Sequence, residues 1–165
     1  MGREYTVQEA LKLAIEAEKD SMEFYRKARM VTKDERSRRV FDLLATEEME
    51  HLHAFLNEYQ GGEAQGVANF LKVPTPRRSP THVALQKAFT PDIQEQKALE
   101  IALQKEKACV ELYSMLARDV VDPLVRRIFE AVVRDSQGHY DIIEDEYMRV
   151  MRMVDRSDQD TYVRE

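Results

Sequence analysis

The chain of 165 residues carries 31 acidic against 25 basic side chains, a formal charge of −6, so neither a nucleic-acid backbone nor an anionic membrane surface is expected as a partner. Five glycines and five prolines are few, and the abundance of Ala, Leu, Glu, Lys, Arg, Gln and Met points to an all-α protein. A single cysteine, Cys109, excludes an internal disulfide framework and any Cys-x-x-Cys metal knuckle. With no long apolar run and no signal-like start, one cytoplasmic domain over residues 1–165 is the expectation.

Thr6 and Glu9 in "TVQE" have capping-box spacing and start a first helix, over about 6–31. "TKDE" breaks it, and a second helix runs over about 34–60 to Gly61-Gly62, giving an antiparallel hairpin. Residues 61–90 hold three glycines and "VPTPRRSP" and read as a connector, with a short helix in "THVALQKAF", long enough to cross a bundle end to end. Thr90-Pro91 and Asp122-Pro123 are start signals for a third helix over about 91–118 and a fourth over about 123–154. Each is about 40 Å long at about 1.5 Å per residue. Two hairpins joined by one long crossover describe a ferritin-like four-helix bundle.

Sliding the chain on itself by 88 residues superposes 8–59 on 96–147 with fifteen identities in 52 positions. Glu18/Glu106, Tyr25/Tyr113, Phe41/Phe129 and His51/His139 are among them. The bundle is therefore a duplicated hairpin with a pseudo-twofold axis. Alternating steps of three and four residues pick out the inward stripes: Leu11, Ala14, Glu18, Ser21, Tyr25; Phe41, Leu44, Glu48, His51, Phe55; Leu99, Ala102, Glu106, Cys109, Tyr113; and Phe129, Val132, Ser136, His139, Ile143. Each helix thus carries a polar group at mid-height on its core side. Ionised carboxylates are not buried without protons, cationic partners or a metal. No Lys or Arg lies on these stripes, so three carboxylates and two imidazoles at one level call for divalent cations.

Glu18-x6-Tyr25, Glu48-x-x-His51, Glu106-x6-Tyr113 and His139, in this order around a long connector, resemble the di-iron domain of rubrerythrin in the ferritin-like superfamily, over about residues 5–150. The resemblance implies Glu18 and Glu106 as terminal metal ligands, Glu48 as a carboxylate bridging two metals, and His51 and His139 as nitrogen ligands. It implies Tyr25 and Tyr113 as neighbours whose hydroxyls bond ligand carboxylates across the bundle. Glu48, Tyr25 and Tyr113 are the candidate catalytic residues. Iron is the expected metal, with zinc or manganese as alternatives, and in the family paired irons react with hydrogen peroxide or dioxygen.

Three departures stand beside the matches. The family's second bridging glutamate falls on Ser136; Asp135 is adjacent but about 100° round the helix. The additional glutamate of peroxidase members falls on Cys109, read here as a small core residue. The two Cys-x-x-Cys pairs of the family's rubredoxin-like domain do not occur in these residues, so a separate donor protein is the expected source of electrons. Three carboxylates do not neutralise two divalent ions, whereas four do, which leaves a dimetal site with one protein bridge, a mononuclear site or a vestigial one.

The leading expectation is a di-iron or di-metal oxidoreductase of peroxidase or ferroxidase type, acting on peroxide, dioxygen or Fe(II). The alternatives are a metal-binding or storage module without turnover and a degenerate helical scaffold in which the five residues form a metal-free polar network. His53 and His82 read as surface residues, as do the arginine pairs at 38/39, 77/78 and 126/127. Met148, Met151 and Met153 are placed to pack against a second subunit of a homodimer implied by the resemblance.

Overall fold

The computed structural model describes residues 3–59 and 87–162, with residues 154–162 as backbone only. Four long helices account for most of them: α1 (Val7–Val31), α2 (Glu35–Glu58), α3 (Glu95–Asp119) and α4 (Pro123–Tyr162). No strand occurs among the described residues, and no helix there is long and apolar enough to cross a membrane. The connector over 60–86, with His82, lies outside the described residues.

The caps explain the helix starts. Thr6 Oγ1 accepts from Glu9 N at 3.1 Å while Glu9 Oε2 accepts from Thr6 N at 2.9 Å, so two free amides at the start of α1 are satisfied reciprocally. Asp34 does the same for α2 by accepting from Ser37 N at 2.9 Å. At the other turn Asp122 Oδ1 accepts from Leu124 N at 2.9 Å, and Arg126 reaches back to the Ala117 and Val120 carbonyls at 3.0 and 2.6 Å. Arg126 is therefore a cap for the carbonyl end of α3 as well as a surface residue.

Two boundaries differ from the sequence expectation. Thr90-Pro91 does not open α3: the Thr90 carbonyl accepts from Ile93 N at 3.1 Å in a separate turn, and the helix begins at Glu95. That turn lets Phe89 and Ile93 both bury in the core, a gain that direct helical entry at Pro91 would forgo. α4 runs on to Tyr162 because no Gly or Pro follows Gly138 to stop it.

Short turns make α1 with α2, and α3 with α4, antiparallel pairs, and α4 also packs on α1 and α2. Two apolar clusters fill the interior. One holds Leu11, Ile15, Leu52, Phe55, Tyr113, Phe129 and Val132; the other holds Phe24, Tyr25, Phe41, Leu44, Leu99, Ile101 and Ile143. Burying each large apolar side chain contributes about 1.5–3 kcal/mol. On every helix buried polar residues lie between the two clusters in sequence: Glu18 and Ser21, Glu48, Glu106, then Ser136 and His139. Beyond the second cluster, Arg149 Nη2 lies 2.7 Å from Asp34 and its Nε donates to buried Glu146 at 2.8 Å. Ser37 donates to the same glutamate at 3.1 Å, pinning the start of α2 against α4.

Candidate metal centre

The polar layer resolves into two triads that share Glu48. The outer triad is Glu18, Glu48 and His51, and the inner triad is Glu48, Glu106 and His139; within each, one potential ligand atom per residue lies within 4.8 Å of the others. Glu18 and Glu106 come from the middle of α1 and α3, Glu48 and His51 stand one helical turn apart on α2, and His139 comes from α4. Five residues separated by up to 121 positions in sequence thus meet at one height.

In the outer triad His51 Nδ1 lies 3.8 Å from Glu48 Oε2 and 4.0 Å from Glu18 Oε2. Asp135, a quarter exposed, sits at its rim with Oδ2 3.4 Å from the same nitrogen. Asp135 therefore faces a histidine, and it belongs to neither triad. In the inner triad His139 Nδ1 is 3.0 Å from Glu48 Oε1 and 3.7 Å from Glu106 Oε1. The two imidazoles stack at 5.7 Å between centroids, 24° from parallel.

Two participants escape the stripe pattern. Glu47 Oε2 lies 2.9 Å from His139 Nε2, holding the ring from behind. Glu47 and Asp135 are counterparts in the 88-residue repeat and each meets the histidine of the other half, so the paired acids were the available signal. The second is Lys105, which overturns the expectation of a site without a basic side chain. Its Nζ lies 3.1 Å from Glu106 Oε1 and 3.9 Å from Glu48 Oε1, and donates to Ser21 Oγ. Lys105 is one residue off the stripe, but its four-carbon stem carries the ammonium inward, leaving it 6% exposed. Its repeat counterpart is Ala17, so this break in the repeat beside Glu106 was legible.

The tyrosines are not equivalent. Tyr25 is fully buried and donates across the bundle to Glu106 Oε1, as the resemblance implies. Tyr113 does not make the mirror-image bond to Glu18. Its ring lies against Phe129 at 5.9 Å in the neighbouring cluster, and from there the hydroxyl donates to the Leu13 carbonyl at 3.3 Å. Ser136 Oγ donates to Cys109 Sγ at 3.0 Å.

Electrostatics follow from burial and these partners. Burial, reinforced by the Glu48 charge, holds the Glu18 carboxyl well above the usual range. Burial acts on Glu48 in the same sense, yet neighbouring Glu18, the His139 bond, nearby His51 and the Lys105 charge outweigh it and hold Glu48 below the usual range. For His139, burial is outweighed by the Glu106 and Glu48 carboxylates, which lift it to about 10. His51 is raised chiefly by the Glu48 carboxylate 3.8 Å away. Burial raises Tyr25, with Glu106 adding to it, and pushes the Cys109 thiol up to about 11.

These residues fit a divalent cation. Six buried side-chain N or O atoms among the described residues have no hydrogen-bond partner, and four of them are Glu18 Oε1, Glu48 Oε2, Glu106 Oε2 and His51 Nδ1. An unpartnered buried acceptor costs about 1–3 kcal/mol, more when charged, so their collection at one point is what a metal would relieve. Carboxylate with imidazole is a donor set suited to iron, manganese or zinc.

No curated protein and no solved structure gives a significant match to the chain. Comparison with family models, however, matches residues 9–147 to Rubrerythrin, a span that takes in all four helix segments bearing Glu18, Glu48, His51, Glu106 and His139. With its all-α bundle and its two carboxylate-histidine groups, the chain belongs to the rubrerythrin family of ferritin-like proteins.

Proposed function

We propose that the protein is a rubrerythrin-type non-haem iron oxidoreductase acting on hydrogen peroxide, dioxygen or Fe(II), with electrons drawn from a separate donor protein. The observation that carries this reading is the unpartnered set Glu18 Oε1, Glu48 Oε2 and His51 Nδ1, buried between two apolar clusters. Glu18, Glu48 and His51 would hold iron, with Glu106 and His139 beside it as the ligands that the resemblance implies for a second position, and bound iron would supply the redox chemistry by passing between ferrous and ferric states. Glu47 orients the His139 ring, and Tyr25 fixes the Glu106 carboxylate. Leu44, Leu52, Leu99 and Phe129, all within 1% of full burial, bar water from above and below. His51, 30% exposed, stands at the open side and marks the route by which a small oxidant reaches the site.

The test compares iron-loaded protein with a Glu48→Gln/His51→Gln variant. Consumption of peroxide or oxidation of Fe(II) at least tenfold faster in the parent supports the reading; equal rates contradict it. A second reading, metal holding without turnover, is favoured by Ser136, which supplies no charge where the resemblance places a bridging glutamate. Full metal loading with equal rates would select it.

A further inference from the structure

The two triads differ in what already occupies them. Three ligand atoms of the outer triad are buried without a hydrogen-bond partner: Glu18 Oε1, Glu48 Oε2 and His51 Nδ1. The inner triad keeps one unpartnered oxygen of its own, Glu106 Oε2, but its other ligand atoms are furnished by the protein itself. Glu106 Oε1 receives both Tyr25 and Lys105, and Glu48 Oε1 meets His139 Nδ1 at 3.0 Å. The ammonium is held from several sides: by Glu106, by Ser21, and by the faces of Tyr25 and Phe24, 5.1 and 5.9 Å from the ring centroids.

We infer that Lys105 is a resident cation standing in for the second metal of the pair, so that the chain holds a single divalent ion, in the outer triad of Glu18, Glu48 and His51. Charge supports this assignment. The carboxylates of Glu18, Glu48 and Glu106 bring three negative charges, and one divalent ion with one ammonium balances them, the charge of His139 being offset by Glu47 at 2.9 Å. Two divalent ions beside the ammonium would leave a buried excess of two positive charges, which the low-dielectric interior penalises. A fourth carboxylate would reduce that excess, but its place is taken by Ser136, 5% exposed and bonded to Cys109. The duplication sharpens the point: at the counterpart of Lys105 the first half carries Ala17, which brings no ammonium to the outer triad.

The inference rests on the reading of this cluster as a metal site, and counting ions separates the two. Metal-free protein is titrated anaerobically with Mn(II) or Co(II), and bound ions per chain are counted by elemental analysis after desalting, with electron paramagnetic resonance of the Mn(II) form. One ion per chain with an uncoupled Mn(II) signal is expected, and Glu18→Gln should weaken its binding at least tenfold. Lys105→Met, which keeps the stem and removes the charge, should bind a second ion at least tenfold more tightly than the parent and give a coupled signal. Two ions in the parent would overturn the role of Lys105 and leave the metal site standing, as would a folded Lys105→Met variant that stays at one. No ion in the parent would overturn both. Should Lys105→Met not fold, the parent's count and spectrum decide the matter alone.

Discussion

The hydroxyl of Ser136 donates to the sulfur of Cys109 at 3.0 Å, so the two positions at which the resemblance places extra glutamates are in contact with each other. They form one neutral pair on the inner side of the metal layer rather than two independent losses. Restoring a carboxylate at one of them places it against a protonated thiol. Ser136→Glu should therefore destabilise the metal-free protein by at least about 2 kcal/mol, and added Co(II) should raise its melting temperature more than the parent's. Urea and thermal melts with and without Co(II) check this, and unchanged stability in the metal-free form would contradict it.

Cys109 should be a poor nucleophile. With its thiol lifted to about 11 by burial, little thiolate exists at neutral pH, and the thiolate is the reactive form. Alkylation by iodoacetamide at neutral pH should be at least about tenfold slower in the native protein than in urea. Equal rates would show the sulfur to be accessible and activated.

The inequality of the two tyrosines should be measurable. Tyr25→Phe removes a buried donor from Glu106, leaving Lys105 to satisfy that oxygen, and should cost about 1–3 kcal/mol. Tyr113→Phe removes a longer bond to a carbonyl within α1 and should cost less than about 1 kcal/mol. Urea denaturation of the metal-free proteins compares them, and equal losses would argue for the symmetric pairing that the repeat implies.

The metal-free protein should lose stability as pH rises. His139 is raised from 6.5 to about 10 by folding and the Glu18 carboxyl is raised too, so the native state binds more protons than the unfolded chain. The stabilisation from protonated His139 is complete below 6.5 and disappears as pH passes through about 10. Urea midpoints should fall across that window, and His139→Gln should flatten the fall. A midpoint that rises over the same range would contradict the protonated His139 pairing with Glu48.

Much of the architecture was legible because duplication and periodicity are both properties of spacing. The helix faces followed from steps of three and four, and the Thr6 and Asp122 starts from side chains able to bond free amides. The start of α3 was not, because Phe89 and Ile93 bury through a turn that no local rule at Thr90-Pro91 discloses. Within the site, short stiff side chains were readable from their Cβ positions. Lys105 was misread because a long stem decides where its charge lies, and Tyr113 because packing against Phe129 sets its reach. Glu47 and Asp135 sit one position off the inward stripe, and only the repeat marks them as a pair.

The central claim is that Glu18, Glu48 and His51 hold a metal ion. Anomalous diffraction at the iron, manganese and zinc edges, on crystals of protein purified without added metal, tests it most directly. The account predicts a peak among Glu18 Oε1, Glu48 Oε2 and His51 Nδ1, with the Lys105 ammonium still on Glu106. No peak at any of the three edges, with those atoms as far from a cation as they are here, would contradict it.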